Sequence, residues 1–252
     1  MGALHAGHGR LIDEARSRSA EVAVSVFVNP IQFNQSEDYQ RYPRPLDDDL
    51  GFCEAHGVDA VFAPAVEEMY PEPQLAFVDV GRVADHMEGR FRPGHFRGVA
   101  TVVLKLLQIV QPDYAYFGEK DAQQLAVVRR MVKDLNVPVE VVGIPTVRET
   151  DGLALSSRNR HLSAEERAIA PRLYEALCAV GRTIAAGERD AEAAKRTGLA
   201  LLAAQRRMRV EYLEVADAME MQPVERIDGP VVVAAAVWVG QTRLIDNVRV
   251  GG

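Results

Sequence analysis

The chain has 252 residues, of which 48% are hydrophobic and 26% are charged, and its formal net charge is −7. This composition excludes a disordered or fibrous protein, and the length suffices for one large domain or two moderate ones. The negative charge disfavours a nucleic-acid-binding protein, which needs clustered positive charge. The longest apolar run is too short to cross a bilayer, and the two cysteines lack a CxxC spacing. We therefore expect a cytoplasmic protein with small-molecule partners, no nucleic acid and no membrane.

The chain opens with His5-Ala-Gly-His8 at the start of an amphipathic pattern that predicts a helix. The first turn of a helix has unpaired backbone N–H groups and the positive end of the helix dipole. Two imidazoles at that point add further donors for an anion such as phosphate. Two other interpretations stay open, because histidines at this spacing are often surface residues or ligands of a metal ion.

Apolar strands alternate with helices up to about residue 147. Helices are predicted at 46–55, 96–110 and 121–135. Strands are predicted at 22–28, 58–63, 113–117 and 137–144, and the pattern also admits one at 75–80. This alternation predicts an α/β fold with a doubly wound, Rossmann-like parallel sheet in domain 1–147, whose ligands lie at the carboxyl ends of the strands.

The pattern changes in the second part of the chain. After a loop, Ser163 and Glu166 form the sequence signature of a capping box for a helix over 163–186. A second helix is predicted at 190–206. Strands of period two follow at 210–215, 231–239 and 242–250. We predict a smaller C-terminal α+β domain, 148–252, with an antiparallel sheet.

Three further polar clusters follow predicted strands or lie in loops. They are Asn29-Pro-Ile-Gln32, Phe117-Gly-Glu-Lys-Asp-Ala-Gln-Gln124 and Ser156-Ser157-Arg158. Carboxamides can hold hydroxyls and carboxylates, a lysine is a point charge for phosphate, and an arginine fork suits polyphosphate. Each cluster alone is a weak signal, since lysines and serines in loops are usually solvated surface residues. Together they predict a phosphate-binding crevice.

The order of these motifs resembles that of the pantoate:β-alanine ligase family, whose HxGH motif belongs to a nucleotidyltransferase superfamily. The resemblance covers residues 1–162 at high specificity and the remainder more loosely. It is carried by MGALHAGH (1–8), FVNPIQF (27–33), YPR with DDD (42–49), GHFRGVATVVLKLLQIV (94–110), FGEKDAQQ (117–124) and VRETDGLALSSRN (147–159). The SSR segment stands where the superfamily has its KMSKS loop.

The resemblance implies an ATP-dependent ligase of pantothenate biosynthesis. Such an enzyme joins pantoate to β-alanine through pantoyl adenylate and releases AMP and pyrophosphate; a cytoplasmic homodimer is also implied. The implied catalytic residues are His5, His8, Lys120, Ser156, Ser157 and Arg158. The implied ATP-binding residues are Met1, His8, Gly118, Lys120, Asp121, Val147, Ser156, Ser157 and Arg158. The implied pantoate-binding residues are Met1, Gln32 and Gln124.

A magnesium ion is expected with ATP, because Mg²⁺ bridges phosphate oxygens and needs only one or two protein carboxylates. Asp48 and Asp49 are the candidate ligands. An equally weighted alternative is that these acids complement the dipole at a helix N-terminus. Arg92 and His95 are interpreted as structural residues or as residues at the mouth of the site.

Two rival functions share part of these motifs. Another adenylyl- or cytidylyltransferase would share HxGH without FVNPxQF and FGEKDxQQ, and a catalytically silent nucleotide-binding module would keep the fold alone. The acidic charge disfavours a fragment of an aminoacyl-tRNA synthetase. In the family a strand precedes MGALH, so the first strand of the sheet is missing here. We therefore expect Met1 to be an internal methionine of a polypeptide that extends upstream with a β-branched strand.

Overall fold

The computed structural model describes residues 2–33, 39–40 and 42–251. The chain clusters into two compact units. The first comprises Met1–Gly81, Gly89–Gly118 and Val127–Ile144. The second comprises Arg82–Glu88, Glu119–Ala126 and Pro145–Gly252. The second unit thus takes in two segments that precede the predicted boundary at residue 147.

Up to residue 144 strands are separated by helices, as the apolar patterns predict, although three helices follow one another between β2 and β3. In chain order they are α1 (Ala6–Arg18), β1 (Ala23–Ser25), α2 (Leu46–Ala55), β2 (Ala60–Phe62), α3 (Val66–Met69), α4 (Glu88–Phe91), α5 (His95–Val110), β3 (Tyr114–Gly118), α6 (Ala122–Asp134) and β4 (Glu140–Ile144). Short 3₁₀ turns lie at Pro30–Gln32, Gly81–Ala84 and Glu119–Asp121. Strand β1 pairs in parallel with β2, and β3 pairs in parallel with β4. Parallel strands joined through helices confirm the predicted α/β class.

A small apolar cluster fixes the start of α1 in the first unit. The apolar face of α1 buries Ile12 and Ala15 against Val22, which precedes β1, Val24 of β1 and Cys53 of α2. Leu4, which precedes the helix, belongs to the same cluster. Burial of such side chains contributes roughly 1.5–3 kcal/mol for each large one. The start of α1, which carries the two histidines, is therefore held by a packed apolar cluster.

The strand that the pattern admits at 75–80 is not formed; these described residues have no regular secondary structure. The backbone N–H of Val78 donates to the side-chain oxygen of Thr101 at 2.9 Å. A side-chain acceptor thus satisfies one of the donors that a neighbouring strand would otherwise pair.

The second unit consists of an antiparallel sheet covered by helices. Its elements from residue 145 onward are a 3₁₀ turn (Ser157–His161), α7 (Ala164–Ile169), α8 (Arg172–Ala185), α9 (Ala191–Ala203), β5 (Met208–Asp217), β6 (Val231–Val239) and β7 (Thr242–Val250). The strand order is β5-β6-β7, all antiparallel. Buried faces of α8 and α9 pack on this sheet around residues such as Leu177, Leu202 and Val233. The predicted C-terminal α+β arrangement is confirmed.

The single helix predicted over 163–186 is wrong, because the chain forms two helices, α7 and α8. Pro171 lies at the break between them. Proline has no backbone N–H and clashes with the preceding turn, so the helix restarts after it. The capping box is confirmed: the Ser163 side chain accepts from the Glu166 N–H, and the Glu166 carboxylate accepts from the Ser163 N–H. Among the described residues, no helix has both the length and the apolarity needed to cross a membrane.

Candidate active site

The two histidines of the first motif cap the helix α1. His5 is the N-cap residue, and its Nδ1 accepts from the Gly7 N–H at 3.1 Å. The Nδ1 of His8 accepts from the His5 N–H at 3.2 Å, and the two ring centroids lie 4.1 Å apart. A neutral imidazole whose Nδ1 accepts has its proton on Nε2. Both rings therefore present an Nε2–H donor at the positive end of the helix dipole, which suits an anion.

Asp49 anchors the backbone segment that leads into this helix. Its carboxylate accepts from the backbone N–H groups of Ala3 at 2.9 Å and Leu4 at 2.6 Å, and the residue is 2% exposed. Ala3 has a φ of 52°, in the left-handed region that costs most residues about 1–2 kcal/mol. Two charge-assisted hydrogen bonds can offset this strain.

This anchoring does not fit a magnesium site on the predicted carboxylate pair. Both oxygens of Asp49 accept from the backbone, whereas Asp48 is exposed on the first turn of α2. Within the described ranges, no group of three or more histidine, cysteine or acidic residues is arranged to hold a metal ion. Asp49 lies in the first turn of α2, as the helix-dipole alternative has it, but its hydrogen bonds hold the backbone of residues 3 and 4, a role that neither prediction included.

Gln32 is positioned by a buried asparagine and a close helix contact. Its Oε1 accepts from the Nδ2 of Asn29 at 3.2 Å, and the same Nδ2 donates to the Gly98 carbonyl at 3.2 Å. A Cβ at Gly98 would lie 2.4 Å from the Ile31 carbonyl oxygen and 2.7 Å from the Gln32 Cα. Only glycine allows α5 to approach the Pro30–Gln32 turn this closely.

Tyr70 and His95 also bind the Pro30–Gln32 turn and the asparagine that precedes it. The Tyr70 hydroxyl donates to the Asn29 Oδ1 at 2.7 Å, and burial raises the pKa of Tyr70 to about 12, which keeps it a donor. The His95 Nδ1–H donates to the Gln32 carbonyl at 2.9 Å, and an Arg92 guanidinium nitrogen lies 3.2 Å from its Nε2. These contacts support the structural interpretation of Arg92 and His95. Tyr70 was not predicted from the sequence, because it lies outside all of the motifs.

The segment that carries Lys120, here called the lysine turn (Glu119–Asp121), connects β3 to α6. Lys120 is in the 3₁₀ turn Glu119–Asp121; its side chain is 18% exposed, and its Nζ lies 3.8 Å from the Asp121 Oδ1. Gln124 is half-buried in the first turn of α6. The neighbouring Gln123 is buried and donates to the carbonyls of Val83 and His86 at 2.9 Å each, so it holds a loop.

A short hairpin carries the Ser-Ser-Arg segment. The Leu155 N–H donates to the Val147 carbonyl at 3.0 Å, and the turn needs Gly152, whose φ is +93°. The Ser156 side chain then caps the following 3₁₀ turn by accepting from the Arg158 N–H at 3.2 Å. Ser156 and Arg158 are half-buried. The hairpin thus presents a hydroxyl and a guanidinium next to one another.

A cavity within the second unit brings together three of the predicted phosphate-binding residues. Its lining includes Lys120, Ser156 and Arg158, together with Arg243 and Asp246. The Arg243 guanidinium donates to Glu88 at 2.6 and 2.9 Å and to Glu211 at 2.8 Å. Burial lowers the pKa of Arg243, but its hydrogen bonds and charge interactions with both carboxylates outweigh this and raise it. Because those carboxylates neutralise Arg243, Lys120 and Arg158 are the lining cations that remain as candidates for binding phosphate.

The remaining predicted residues are distributed over the two units. His5, His8, Gln32 and Gly118 belong to the first unit. Asp121, Gln124, Val147 and Ser157 belong to the second unit, outside the lining of its cavity. Met1 lies outside the described residues. The roles assigned to these side chains stay predictions.

The donors at the start of α1 in the first unit suit an anion, and so do Lys120 and Arg158 in the second unit; with the α/β fold they are typical of a nucleotide-dependent enzyme. Residues 1–249 match the family model described as Pantoate-beta-alanine ligase, and the chain belongs to this family. It is 52% identical over 248 residues to a pantothenate synthetase of Moorella thermoacetica, covering 98% of this chain and 88% of the relative.

Solved structures agree with this assignment. The fold matches the crystal structure of pantothenate synthetase from Thermus thermophilus with a TM-score of 0.95 and 50% identity, covering 100% of this chain and 91% of that one. It also matches a pantoate-beta-alanine ligase from Francisella tularensis, complexed with beta-gamma ATP and beta-alanine. That match has a TM-score of 0.78 and 35% identity, and it covers 98% of this chain and 86% of that one.

Proposed function

We propose that this protein condenses pantoate with β-alanine at the expense of ATP, through a pantoyl-adenylate intermediate. The observation that carries the proposal is the family match over residues 1–249. Lys120, Ser156 and Arg158, from two of the family motifs, line one cavity of the second unit and support it. The Francisella tularensis relative was solved with an ATP compound and β-alanine, two of the three proposed substrates. The products are pantothenate, AMP and pyrophosphate.

In the first step a pantoate carboxylate oxygen attacks the α-phosphorus of ATP, and the bond to the bridging oxygen of pyrophosphate breaks. Such transfers depend on alignment and on neutralising the spreading charge rather than on a protein nucleophile. The Nε2–H groups of His5 and His8 donate to the phosphates as charge develops. Lys120 neutralises the α-phosphate region, and Ser156, Ser157 and Arg158 hold the β- and γ-phosphates.

In the second step the amine of β-alanine attacks the acyl carbon of the adenylate. The acyl–oxygen bond breaks, AMP leaves, and the amine loses a proton. Gln32 and Gln124 hold pantoate through its hydroxyls and carboxylate, and Met1 is proposed as a further pantoate-binding residue. The contacts that Gln32 makes with Asn29 and His95 support this role, because a preorganised carboxamide loses little freedom on binding. Asp121 binds the ribose or orders its loop, and Gly118 and Val147 border the nucleotide.

We also propose that Mg²⁺ enters with the phosphates of ATP. When bound there, it supplies further charge neutralisation. Asp49 is occupied by the backbone of Ala3 and Leu4, so protein carboxylates contribute little to holding the ion. A cytoplasmic homodimer is the proposed working form, and light scattering after gel filtration should give twice the mass of the chain.

The test is an assay of AMP release with ATP, Mg²⁺, pantoate and β-alanine, each omitted in turn. AMP should form only when both acids are present, whereas pyrophosphate exchange into ATP should need pantoate alone. Lys120→Ala should abolish both signals, and Lys133→Ala, an exposed lysine on α6, should change neither. The absence of all ATP turnover in the wild-type protein would indicate a silent nucleotide-binding module. Turnover that does not depend on pantoate would indicate a different nucleotidyltransferase.

A further inference from the structure

One buried asparagine on the last strand holds the backbone of the lysine turn. The Nδ2 of Asn247, on β7, donates to the carbonyl of Glu119 at 2.9 Å and to that of Lys120 at 2.9 Å. Asn247 is 7% exposed, and all three residues belong to the second unit. An amide NH₂ has two donors, so one side chain satisfies two successive carbonyls. The position of the Lys120 Cα is thereby tied to β7.

Asn247 is itself held by a buried ion pair. Its backbone N–H donates to the Asp246 Oδ1 at 2.7 Å, and its carbonyl accepts from the Arg148 Nη2 at 3.2 Å. Arg148 binds Asp246 with both guanidinium ends, at 2.6 and 2.9 Å, and the Asp246 side chain is only 3% exposed. A bidentate pair of this kind fixes orientation as well as distance.

The same arginine reaches the hairpin that carries the second phosphate-binding segment. The Arg148 Nη1 donates to the Gly152 carbonyl at 3.1 Å, and the guanidinium lies 3.7 Å from the ring centroid of Tyr174. Arg148 is part of the hairpin that ends at Ser156. The lysine turn and the Ser-Arg turn are thus attached to one buried polar group, Arg148–Asp246–Asn247.

We propose that Asn247 is a positioning residue that sets the placement of the Lys120 ammonium for adenylate formation, an inference that rests on the proposed function. Asn247 does not line the cavity; it acts on the backbone behind Lys120. A displacement of a catalytic charge by about 1 Å can cost on the order of 10²-fold in rate. Without the amide, the two carbonyls have no fixed partner and the turn gains freedom.

The first experiment compares Asn247→Ala with Val233→Ala. Val233 is fully buried on β6, so its truncation perturbs the same unit without touching the lysine turn. Asn247→Ala should lower the kcat of pantoate-dependent pyrophosphate exchange about 10- to 100-fold, whereas Val233→Ala should not. The reaction of β-alanine with supplied pantoyl adenylate should keep its wild-type rate in Asn247→Ala. Equal exchange rates in the two variants would overturn the proposal.

A double-mutant cycle tests whether Asn247 acts through the lysine. If it does, Lys120→Ala combined with Asn247→Ala should be no slower than Lys120→Ala alone. Losses that multiply would show that Asn247 acts elsewhere and would overturn the inference.

A third readout does not depend on turnover. Hydrogen–deuterium exchange across residues 119–124 should accelerate in Asn247→Ala and stay unchanged in Val233→Ala. Unchanged protection in both would refute the positioning role even if the wild-type protein proved inactive. Inactivity of the wild-type protein with the expected protection changes would instead refute the proposed function alone.

Discussion

The Asp49→Asn variant tests whether the Asp49 carboxylate anchors the backbone or binds magnesium. The carboxylate accepts from the backbone N–H groups of Ala3 at 2.9 Å and Leu4 at 2.6 Å, at a position only 2% exposed. In Asp49→Asn one oxygen becomes an NH₂ group that faces a buried N–H donor. One hydrogen bond to a charged group is lost, which is about 1.5–3 kcal/mol, and a donor is left unpaired at about 1–3 kcal/mol. Together these predict a loss of roughly 2.5–6 kcal/mol in the free energy of unfolding.

The neighbouring Asp48 is a matched control, because it is exposed in the same helical turn. Asp48→Asn should change stability by less than about 0.5 kcal/mol. Urea unfolding followed by circular dichroism gives both values. Pyrophosphate exchange titrated with MgCl₂ supplies the second test: the activity lost in Asp49→Asn should not return at high Mg²⁺, because the histidine-bearing helix start is displaced. Wild-type stability together with activity restored by excess Mg²⁺ would refute the anchoring role.

Four further outcomes are expected. His5→Ala should lower the rate of pyrophosphate exchange on the order of 10²–10³-fold with little change in pantoate affinity, since its donor acts on developing charge; equal losses in both would contradict this. Lys120→Arg should not restore the activity that Lys120→Ala loses, because a planar fork does not replace a compact ammonium; kcat measures this. Gln32→Ala and Gln124→Ala should raise the KM for pantoate far more than that for β-alanine, and a dominant effect on ATP would mean that they face another substrate. Burial raises the pKa of Tyr70 to about 12, above the value of about 10 in the unfolded chain. The stability that the neutral phenol contributes is therefore present below pH 10 and is lost as the pH rises towards 12. In Tyr70→Phe, urea unfolding at alkaline pH should show a smaller loss of stability over this range.

Local patterns predicted those elements whose signals lie within a few residues. The helix Leu46–Ala55 and the strands Val231–Val239 and Thr242–Val250 have the bounds that the apolar periodicity indicated. The N-cap position of Ser163 also follows from local sequence, and so does the placement of the two histidines at a helix start, where His5 is the N-cap. Pro171 was the local signal that the helix prediction over 163–186 overlooked.

Long-range polar contacts left no such signal. The Glu88 carboxylate meets Arg243 across 155 residues, and Asn247 meets the Lys120 carbonyl across 127. A charged or carboxamide residue in a loop or strand has no periodicity that reveals its partner. The tight contact at Gly98 is likewise set by a segment distant in the chain, around Gln32. The motifs therefore predict which side chains meet the ligand, but they carry no information on which residues hold those side chains in place.

In each unit, one buried side chain binds two successive backbone groups at or next to a predicted catalytic residue. In the first, a buried carboxylate, Asp49, accepts from two successive backbone N–H groups ahead of the histidines. In the second, a buried amide, Asn247, donates to two successive carbonyls at Lys120. The carboxylate supplies acceptors for two N–H donors, and the amide supplies donors for two carbonyl acceptors. Because adenylate formation depends on preorganised charge, residues that fix the backbone behind a catalytic side chain should constrain the rate as strongly as many residues that contact the substrate.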